Sequence, residues 1–377
     1  MNPTHLTINP ERIRQANLQK VPPGEFCVGA TLSAEGWMTP GIRVENCLEK
    51  GYAPRGYQLA DFTVIRTDGV WHLFHIPRVP NRDNWGGHPA NEHWFGHAVS
   101  RDLDTWFTLD PVLTNDPHLP HESGSLWAPF VLEHEGTFYM FYTGISEHIS
   151  GRLVWPASRH GALPPSYPAQ ILCLATSQDP ELQKWTRYPG NPICPVLDWH
   201  LHNPDGSAHA MRDPHVVRVG GHFLLAYTTV HKNGCPAVGG LVSTDLFHWE
   251  DIGPILYRPM PPYAWHPESV NIQQLADGRW VMLPNCSPGL EYRFSADPHD
   301  WHGSVPTLVE RSDGGDRNHP GGIEILQRND KEGRWLVAWF EDGNNYMFIG
   351  ELDIAANPWQ LRRIRERRQL QKWADPP

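Results

Sequence analysis

A five-fold repeat of paired β-rich segments most constrains the fold of this 377-residue chain. In each copy, two apolar or alternating runs are joined by a turn that contains glycine, which is the pattern of a β-hairpin. The copies span 60–76, 128–145, 212–230, 267–286 and 323–340. Repetition of this regularity is typical of architectures in which each unit buries its faces against its neighbours.

A short strand and a polar turn follow each hairpin, and the turn closes on tryptophan. The five closing residues are Trp106, Trp185, Trp249, Trp301 and Trp359. An aspartate precedes each of them by four or six residues. Hairpin, strand and turn, with room for a fourth strand, describe one blade of a β-propeller. We therefore predict an all-β, five-bladed β-propeller, because a β-sandwich would not explain the five-fold repeat.

The repeat also divides the chain. Residues 1–55 precede the first blade and show no repeat, so we interpret them as an N-terminal extension that packs on the propeller. Residues 56–377 are predicted to form the five-bladed propeller itself.

Charge and cysteine usage exclude several classes of protein. The formal net charge of −11 argues against a nucleic-acid or anionic-membrane partner. No apolar run approaches the ~18 residues that span a membrane, and the first residues lack the apolar stretch of a secretory signal. Six scattered cysteines are interpreted as reduced thiols, so we expect a cytoplasmic protein. No nucleotide fingerprint indicates a cofactor, and the oligomeric state stays open.

Carboxylates recur at the start of the predicted innermost strands, which border the propeller axis. With the hairpins aligned, the matching residues are Asp61, Pro129, Asp213, Glu268 and Glu324. A carboxylate in an otherwise apolar strand is costly unless it has a partner or a function. Four at one position are hard to explain as turn chemistry, so we predict a site on the axis.

Two long insertions, 77–94 and 146–170, directly follow second strands and should hang over the same end of the axis. They would make a deep pocket. The chain has 17 tryptophans, whose rings stack well on sugars, but we interpret most of them as core residues of the repeat. Paired carboxylates in such a pocket suit glycoside hydrolysis, in which one acid protonates the leaving oxygen and another attacks carbon or activates water. The expected partner is therefore a small-molecule carbohydrate.

Several segments resemble the five-bladed propeller superfamily of glycoside hydrolase families 32, 68 and 43, and family 32 is the most similar. HWFGHAVSRDLDTW (93–106) resembles that family's W-G-H-A-x-S-x-D-L-x-x-W segment, and SGSLWAPF (123–130) resembles its S-G-S-A segment. MRDPHVV (211–217) carries an R-D-P motif. Segment 57–74 occupies the place of the family's N-D-P-N-G segment, and segment 268–283 occupies the place of its E-C-P-D segment.

The resemblance implies a β-fructofuranosidase-like enzyme that releases terminal furanosyl units from a small glycoside or oligosaccharide. Asp61 would be the nucleophile, Asp213 the transition-state stabiliser and Glu268 the general acid/base. The implied sugar-binding residues are Arg212, Ser123, Ser125 and Trp127.

Departures from the family pattern leave alternatives open. Ala60 and Phe62 flank Asp61 where the family has Asn and Pro, and Ser269 replaces the Cys after the acid. The chain ends soon after blade five, so we expect no C-terminal β-sandwich. The W-A-P at 127–129 is more similar to family 43, which would make the protein an inverting α-L-arabinofuranosidase or β-xylosidase. The distance between the carboxyl groups of Asp61 and Glu268 distinguishes the two mechanisms. It is about 5–5.5 Å in retaining enzymes and about 6.5–9.5 Å in inverting enzymes.

Further candidates come from the remaining polar residues near the axis. Glu324 rivals Glu268 as the acid, or else binds a sugar hydroxyl. His97 and His266 are predicted to contact substrate. No H-x-H or H-E-x-x-H spacing supports a metal on the axis, so none is predicted. A glycoside phosphorylase and a non-catalytic sugar-binding propeller are the lower alternatives.

Overall fold

The computed structural model describes residues 42–78, 92–146, 169–203, 206–257, 267–286, 289–314, 320–341 and 346–373. Within these ranges the strands form five sheets, one for each repeat found in the sequence. Neighbouring strands in every sheet pair in an antiparallel sense, except for one short parallel pair in the fifth. The prediction of a five-bladed β-propeller is confirmed.

Blades 1 and 2 begin the ring. Blade 1 contains β1 (Ile42–Val44), β2 (Gln58–Thr67), β3 (Val70–Arg78), β4 (Trp94–Ser100) and β5 (Trp106–Thr114), in the order β1-β5-β4-β3-β2. A four-residue helix, α1 (Cys47–Lys50), lies between β1 and β2. Blade 2 contains β6 (Ser125–His134), β7 (Thr137–Ile145), β8 (Gln170–Ser177) and β9 (Thr186–Arg187), in that order.

Blades 3 to 5 complete the ring. Blade 3 contains β10 (Met211–Val219), β11 (His222–Val230), β12 (Pro236–Ser243) and β13 (Glu250–Tyr257). Blade 4 contains β14 (Glu268–Gln274), β15 (Trp280–Cys286), β16 (Gly289–Ser295) and β17 (Thr307–Leu308). Blade 5 contains β18 (Glu310–Arg311), β19 (Pro320–Asn329), β20 (Arg334–Glu341), β21 (Met347–Asp353) and β22 (Gln360–Arg363), in the order β18-β22-β21-β20-β19. A short helix, α2 (Arg367–Leu370), and a 3₁₀ turn (Gln371–Trp373) follow.

The core lies between the blades, because each sheet must cover two apolar faces. A buried apolar cluster fills each of the five junctions between neighbouring blades. Between blades 1 and 2, for example, Phe74 packs with Met140 and Tyr142. The innermost strands contact one another in a closed cycle, β2–β6–β10–β14–β19–β2. Removing apolar area from water at every junction, at roughly 25 cal/mol per Å², is what holds such a ring together.

Residues that precede the first repeat take part in closing the ring. Strand β1 pairs with β5 at the outer edge of blade 1. The backbones of Tyr52 and Met347 exchange hydrogen bonds of 2.8 Å, which links this segment to blade 5. The Tyr52 hydroxyl meets the Thr108 hydroxyl at 3.0 Å in blade 1. Residues 42–55 therefore contact both sides of the junction between blades 5 and 1, and residues 1–41 lie outside the described residues.

Four of the tryptophans that close the repeats hold their turns through the indole N–H. The indole N–H of Trp106, Trp185 and Trp249 each donates to the carbonyl three residues earlier, at 3.1, 2.8 and 3.0 Å. Trp301 makes the same bond at 2.7 Å. Each ring thereby fixes the turn between the third and fourth strands. Among the described residues, no helix is long and apolar enough to cross a membrane.

Candidate active site

Each innermost strand contains a β-bulge at the same place, near its N-terminal end. In all five, two residues of the innermost strand oppose one residue of the second strand. The bulged pairs are Ala60–Asp61, Ala128–Pro129, Asp213–Pro214, Ser269–Val270 and Gly322–Ile323. The first residue of the pair has a positive φ in blades 2 to 5, between 44° and 58°. A bulge frees its residues from the strand ladder and redirects their side chains.

The prediction that four carboxylates share one position in the register is wrong. Asp213 is the first bulged residue of its blade and Asp61 the second, whereas Glu268 precedes its bulge and Glu324 follows it. The paired stretch between the bulge and the hairpin turn differs in length between blades, with six residues (62–67) in blade 1 and four (271–274) in blade 4, so an alignment of the hairpins does not keep the register. Asp61, Asp213 and Glu268 nevertheless lie together at one end of the axis.

Ser269 connects two of these carboxylates. Its hydroxyl donates to Oδ1 of Asp61 at 3.1 Å, and its backbone N–H donates to Oδ2 of Asp213 at 3.2 Å. The Thr228 hydroxyl, 3.0 Å from the same Oδ2, faces it from the second strand of blade 3. The backbone N–H of Asp213 in turn donates to the Thr143 hydroxyl of blade 2 at 3.2 Å. Asp213 is thus held by three neighbouring blades and is only 7% exposed.

Arg212 connects the third carboxylate. Its guanidinium donates to Oε1 of Glu268, lies 3.6 Å from Oδ2 of Asp213, and donates to Oε1 of Gln170 at 3.2 Å. Gln170 is 1% exposed at the start of β8. One arginine therefore sits between two carboxylates, and its planar fork of donors is fixed by a buried amide.

A second ion pair lies beside Asp61. Arg78, at the end of β3, donates through Nε to Oε1 of Glu92 at 2.5 Å, and the Trp127 indole N–H donates to Oε2 of Glu92 at 2.6 Å. The Glu92 side chain is fully buried. Trp127, which was expected to line the sugar site, is therefore anchored by its N–H and packs in the junction between blades 1 and 2.

Burial perturbs the carboxylates. Desolvation raises the pKa of Asp213 to about 7, and Asp61 and Glu268 add to the rise while Arg212 opposes it. Desolvation also raises the pKa of Asp61; the Arg78 guanidinium and the Ser269 hydroxyl counteract this, and Glu268 reinforces it. Acids that are desolvated, mutually repelling and paired with specific cations are typical of catalytic sites.

The other predicted site residues lie in different places. Ser125 begins the first strand of blade 2 and Ser123 lies two residues before it, at the end that corresponds to the carboxylates in the other blades. His97 is fully buried inside blade 1, where it stacks on Phe74 and meets Nδ1 of His72 at 3.0 Å, so the structure does not bring it together with the carboxylates. His266 lies outside the described residues, as do 79–91 and 147–168 of the two long insertions.

Sequence reasoning missed the residues that support the carboxylates. Glu92, Gln170, Thr228 and the hydroxyl of Ser269 carry no motif of their own, and only Ser269 was noticed, as a departure from a family pattern. Among the described residues, no group of three or more His, Cys, Asp or Glu side chains is arranged to hold a metal ion.

Comparison with known proteins decides the family. The model of the glycosyl hydrolases family 32 N-terminal domain matches residues 59–307, well over half of the chain. The chain belongs to glycosyl hydrolase family 32. The match begins just before the bulge of blade 1 and runs through blade 4, so it includes Asp61, Asp213 and Glu268 in the family's own domain.

Curated relatives of this family 32 chain have names that refer to fructans. Fructan 1-exohydrolase from Aegilops tauschii is 25% identical over 205 residues, which is 52% of this chain and 29% of that protein. Fructan 6-exohydrolase from Triticum aestivum is 29% identical over 197 residues, or 50% and 28%. The matched region thus spans less than a third of the length of either relative.

Solved structures of family 32 proteins share the fold. Fructan 1-exohydrolase IIa from Cichorium intybus superposes with a TM-score of 0.58 at 17% identity, covering 82% of this chain and 59% of that one. A family 32 β-fructofuranosidase from Bombyx mori gives a TM-score of 0.54 at 17% identity, covering 79% and 62%. Both likenesses show a common propeller.

Proposed function

We propose that this protein is a β-fructofuranosidase-like glycoside hydrolase that releases terminal furanosyl units from a small glycoside or oligosaccharide. The observation that carries the proposal is the convergence of Asp61, Asp213 and Glu268 at one end of the axis, connected through Arg212 and Ser269. Membership of family 32 and relatives named as fructan exohydrolases support the choice of a fructoside over an arabinoside or xyloside.

In this proposal, Asp61 attacks the anomeric carbon and forms a covalent glycosyl-enzyme, which water then hydrolyses. The Ser269 hydroxyl and the charge of Arg78 favour the ionised form of Asp61, which desolvation opposes. These two groups therefore favour the carboxylate, which is the nucleophilic form of Asp61.

Glu268 protonates the leaving oxygen in the first step and deprotonates water in the second. Asp213 faces the same space and stabilises the positive charge that develops on the sugar ring. Arg212 contacts Glu268 directly, so substrate hydroxyls that bind the guanidinium would free the Glu268 carboxyl for the glycosidic oxygen.

The substrate class is tested by incubating the purified protein with sucrose, inulin-type and levan-type oligosaccharides, and a matched set of arabinofuranosides and xylosides. Release of fructose by the wild type, lost in Asp61→Asn, is the expected result. Release of arabinose or xylose alone would overturn the choice of sugar. No release from any member would contradict the hydrolase proposal.

The mechanism is tested separately with Glu268→Ala and a fructoside that has an activated leaving group. With this substrate the first step needs no acid, but the variant lacks the base for the second step. A glycosyl-enzyme should therefore accumulate on Asp61. Mass spectrometry of the peptide that contains Asp61 would detect one added hexosyl unit. A variant that turns over without any adduct, and inverts, would refute the role of Asp61 as nucleophile.

A further inference from the structure

A small cavity lies on the axis immediately behind the bulges. Its volume is about 30 Å³, and it is lined by the bulged residues and by the next residue of each innermost strand. The five residues of this next layer occupy the same position in every blade: Phe62, Phe130, His215, Asn271 and Glu324. Arg212 and Glu268, which precede the bulges of blades 3 and 4, do not line this cavity.

Three of the five residues in this layer are polar. His215, Asn271 and Glu324 come from three consecutive blades, whereas the two phenylalanines cover the other side. His215 is 6% exposed, its ring packs on Phe130 at 4.6 Å, and Nδ1 has no hydrogen-bond partner among the described residues. The Asn271 amide donates to the carbonyl of Ile323 at 3.2 Å. A buried nitrogen left without a partner is costly, so its partner should be solvent.

The size and chemistry of the cavity suit water. A volume of about 10–15 Å³ accommodates one water molecule, and buried water requires two to four polar partners. The cavity has room for about two by this measure, and it is bordered by Asp61, Asp213, His215 and Glu324.

We propose that the axial cavity holds ordered water and that Glu324 is a positioning residue, which orients this water behind Asp61 and Asp213. This proposal rests on the function proposed above. It also gives Glu324 a role that differs from both alternatives predicted from the sequence. Because Glu324 lies in the layer behind the bulges, it neither protonates the leaving group nor contacts the sugar.

The ionisation of the surrounding groups fits this role. Desolvation raises the pKa of Glu324 to about 8, and a hydrogen bond with Thr63 only partly opposes it, so the carboxyl is a proton donor at neutral pH. Desolvation lowers the pKa of His215 to about 3, so its ring is neutral. Water that accepts a hydrogen bond from Glu324 can donate to Asp61 or Asp213. Arg78, Arg212, Glu92 and Glu268 are the other charged groups that act on these two acids.

The first test does not need activity. A crystal structure of the wild-type protein at high resolution should show one or two ordered waters in the cavity within hydrogen-bond distance of Glu324 and His215. The Glu324 carboxyl, followed by carbon-13 NMR in glutamate-labelled protein with Glu324→Gln for assignment, should titrate well above its ordinary value of 4.5. An empty cavity, or ordinary titration, would overturn the proposal even if the enzyme proves to be a fructosidase.

The second test compares Glu324→Gln with Glu324→Met in pH profiles of kcat/KM. Gln keeps a neutral hydrogen-bond donor, so we expect a rate within about threefold of wild type. Met keeps the volume of the side chain but removes the donor. The acid limb of the kcat/KM profile should then move up by about one pH unit, and kcat should fall about tenfold with little change in KM.

Three outcomes would contradict the role. A Glu324→Gln variant without activity would make Glu324 a chemical participant. A large rise in KM with kcat preserved would make it a sugar contact. Two variants with lower melting temperatures but wild-type pH profiles would make it purely structural. Should Glu324→Met fail to fold, Thr63→Val removes the hydroxyl that contacts Glu324 and that also accepts from the Val131 backbone N–H at 3.4 Å, and the water and pH profile can be examined in that variant.

Discussion

Asp213→Asn should stabilise the protein while destroying its activity, and the stabilisation should grow with pH. Asp213 is 7% exposed, and desolvation raises its pKa from the ordinary 3.8 to about 7. A carboxyl with a higher pKa in the folded protein binds a proton more readily when folded. Its contribution therefore lowers the free energy of unfolding as the pH rises from about 4 towards 7.

The magnitude follows from the two pKa values. Each pH unit between them is worth about 1.4 kcal/mol, so the cost reaches about 4 kcal/mol at pH 8 and is about 2 kcal/mol at pH 5. Asparagine has no such cost, and its amide oxygen can still accept from Thr228 and from the backbone of Ser269. These free energies are upper limits, because part of the rise in the pKa of Asp213 comes from the neighbouring acids Asp61 and Glu268.

The assay is urea unfolding of wild type and Asp213→Asn at pH 5 and pH 8. The difference between their free energies of unfolding should be larger at pH 8 than at pH 5 by roughly 2 kcal/mol. Asp245→Asn is the matched control in the same blade. Although desolvation acts in the opposite direction, hydrogen bonds from the backbone and ring of His248 lower the pKa of Asp245, so its replacement should destabilise. An Asp213→Asn variant that is less stable than wild type, or equally affected at both pH values, would refute the reasoning.

Other substitutions separate catalysis, positioning and stability. Asp61→Asn and Glu268→Gln should each reduce kcat about a thousandfold or more, with melting temperatures close to wild type; wild-type rates in both would mean that the site is elsewhere. Ser269→Ala removes one donor to Asp61 and should move the acid limb of kcat/KM upwards by up to about one pH unit, whereas an unmoved limb would exclude the hydroxyl from this role. Desolvation lowers the pKa of His75 to about 3, so wild type should lose stability as the pH falls below about 6.5. His75→Phe should melt closer to its neutral-pH temperature at pH 4 than wild type does, and equal losses in both proteins would contradict this.

The fold could be predicted from the sequence because each blade repeats the same local signals. Glycine turns between apolar runs mark the hairpins, and the closing tryptophans mark the turns that their indole N–H groups stabilise. Five copies of one pattern specify the number of blades. The short fourth strands, such as β9 and β17, carry too few residues for any periodicity to reveal them.

The detailed geometry of the site could not be predicted in the same way. Asp213 is part of its bulge and Glu268 precedes its bulge, and this difference depends on how many residues pair between the bulge and the turn, which the apolar pattern does not reveal. His97 is polar but lies inside a blade, where Phe74 and His72 surround it. The polar supports depend on pairs far apart in the chain, since Gln170 reaches Arg212 across 42 residues.

The bulges also bear on how this protein could acquire new specificity. A bulged residue faces the axis without a partner in the strand ladder, so replacing it leaves the pairing of the blade intact. Blades 3 and 4 place Asp213 and Ser269 at the first bulged position, whereas blades 2 and 5 place Ala128 and Gly322 there. A Cβ at Gly322 would lie 2.9 Å from Phe340, but Ala128 already has a side chain at the same backbone conformation. Position 128 is thus where evolution, or a designer, can add a polar group beside the carboxylates by a single replacement.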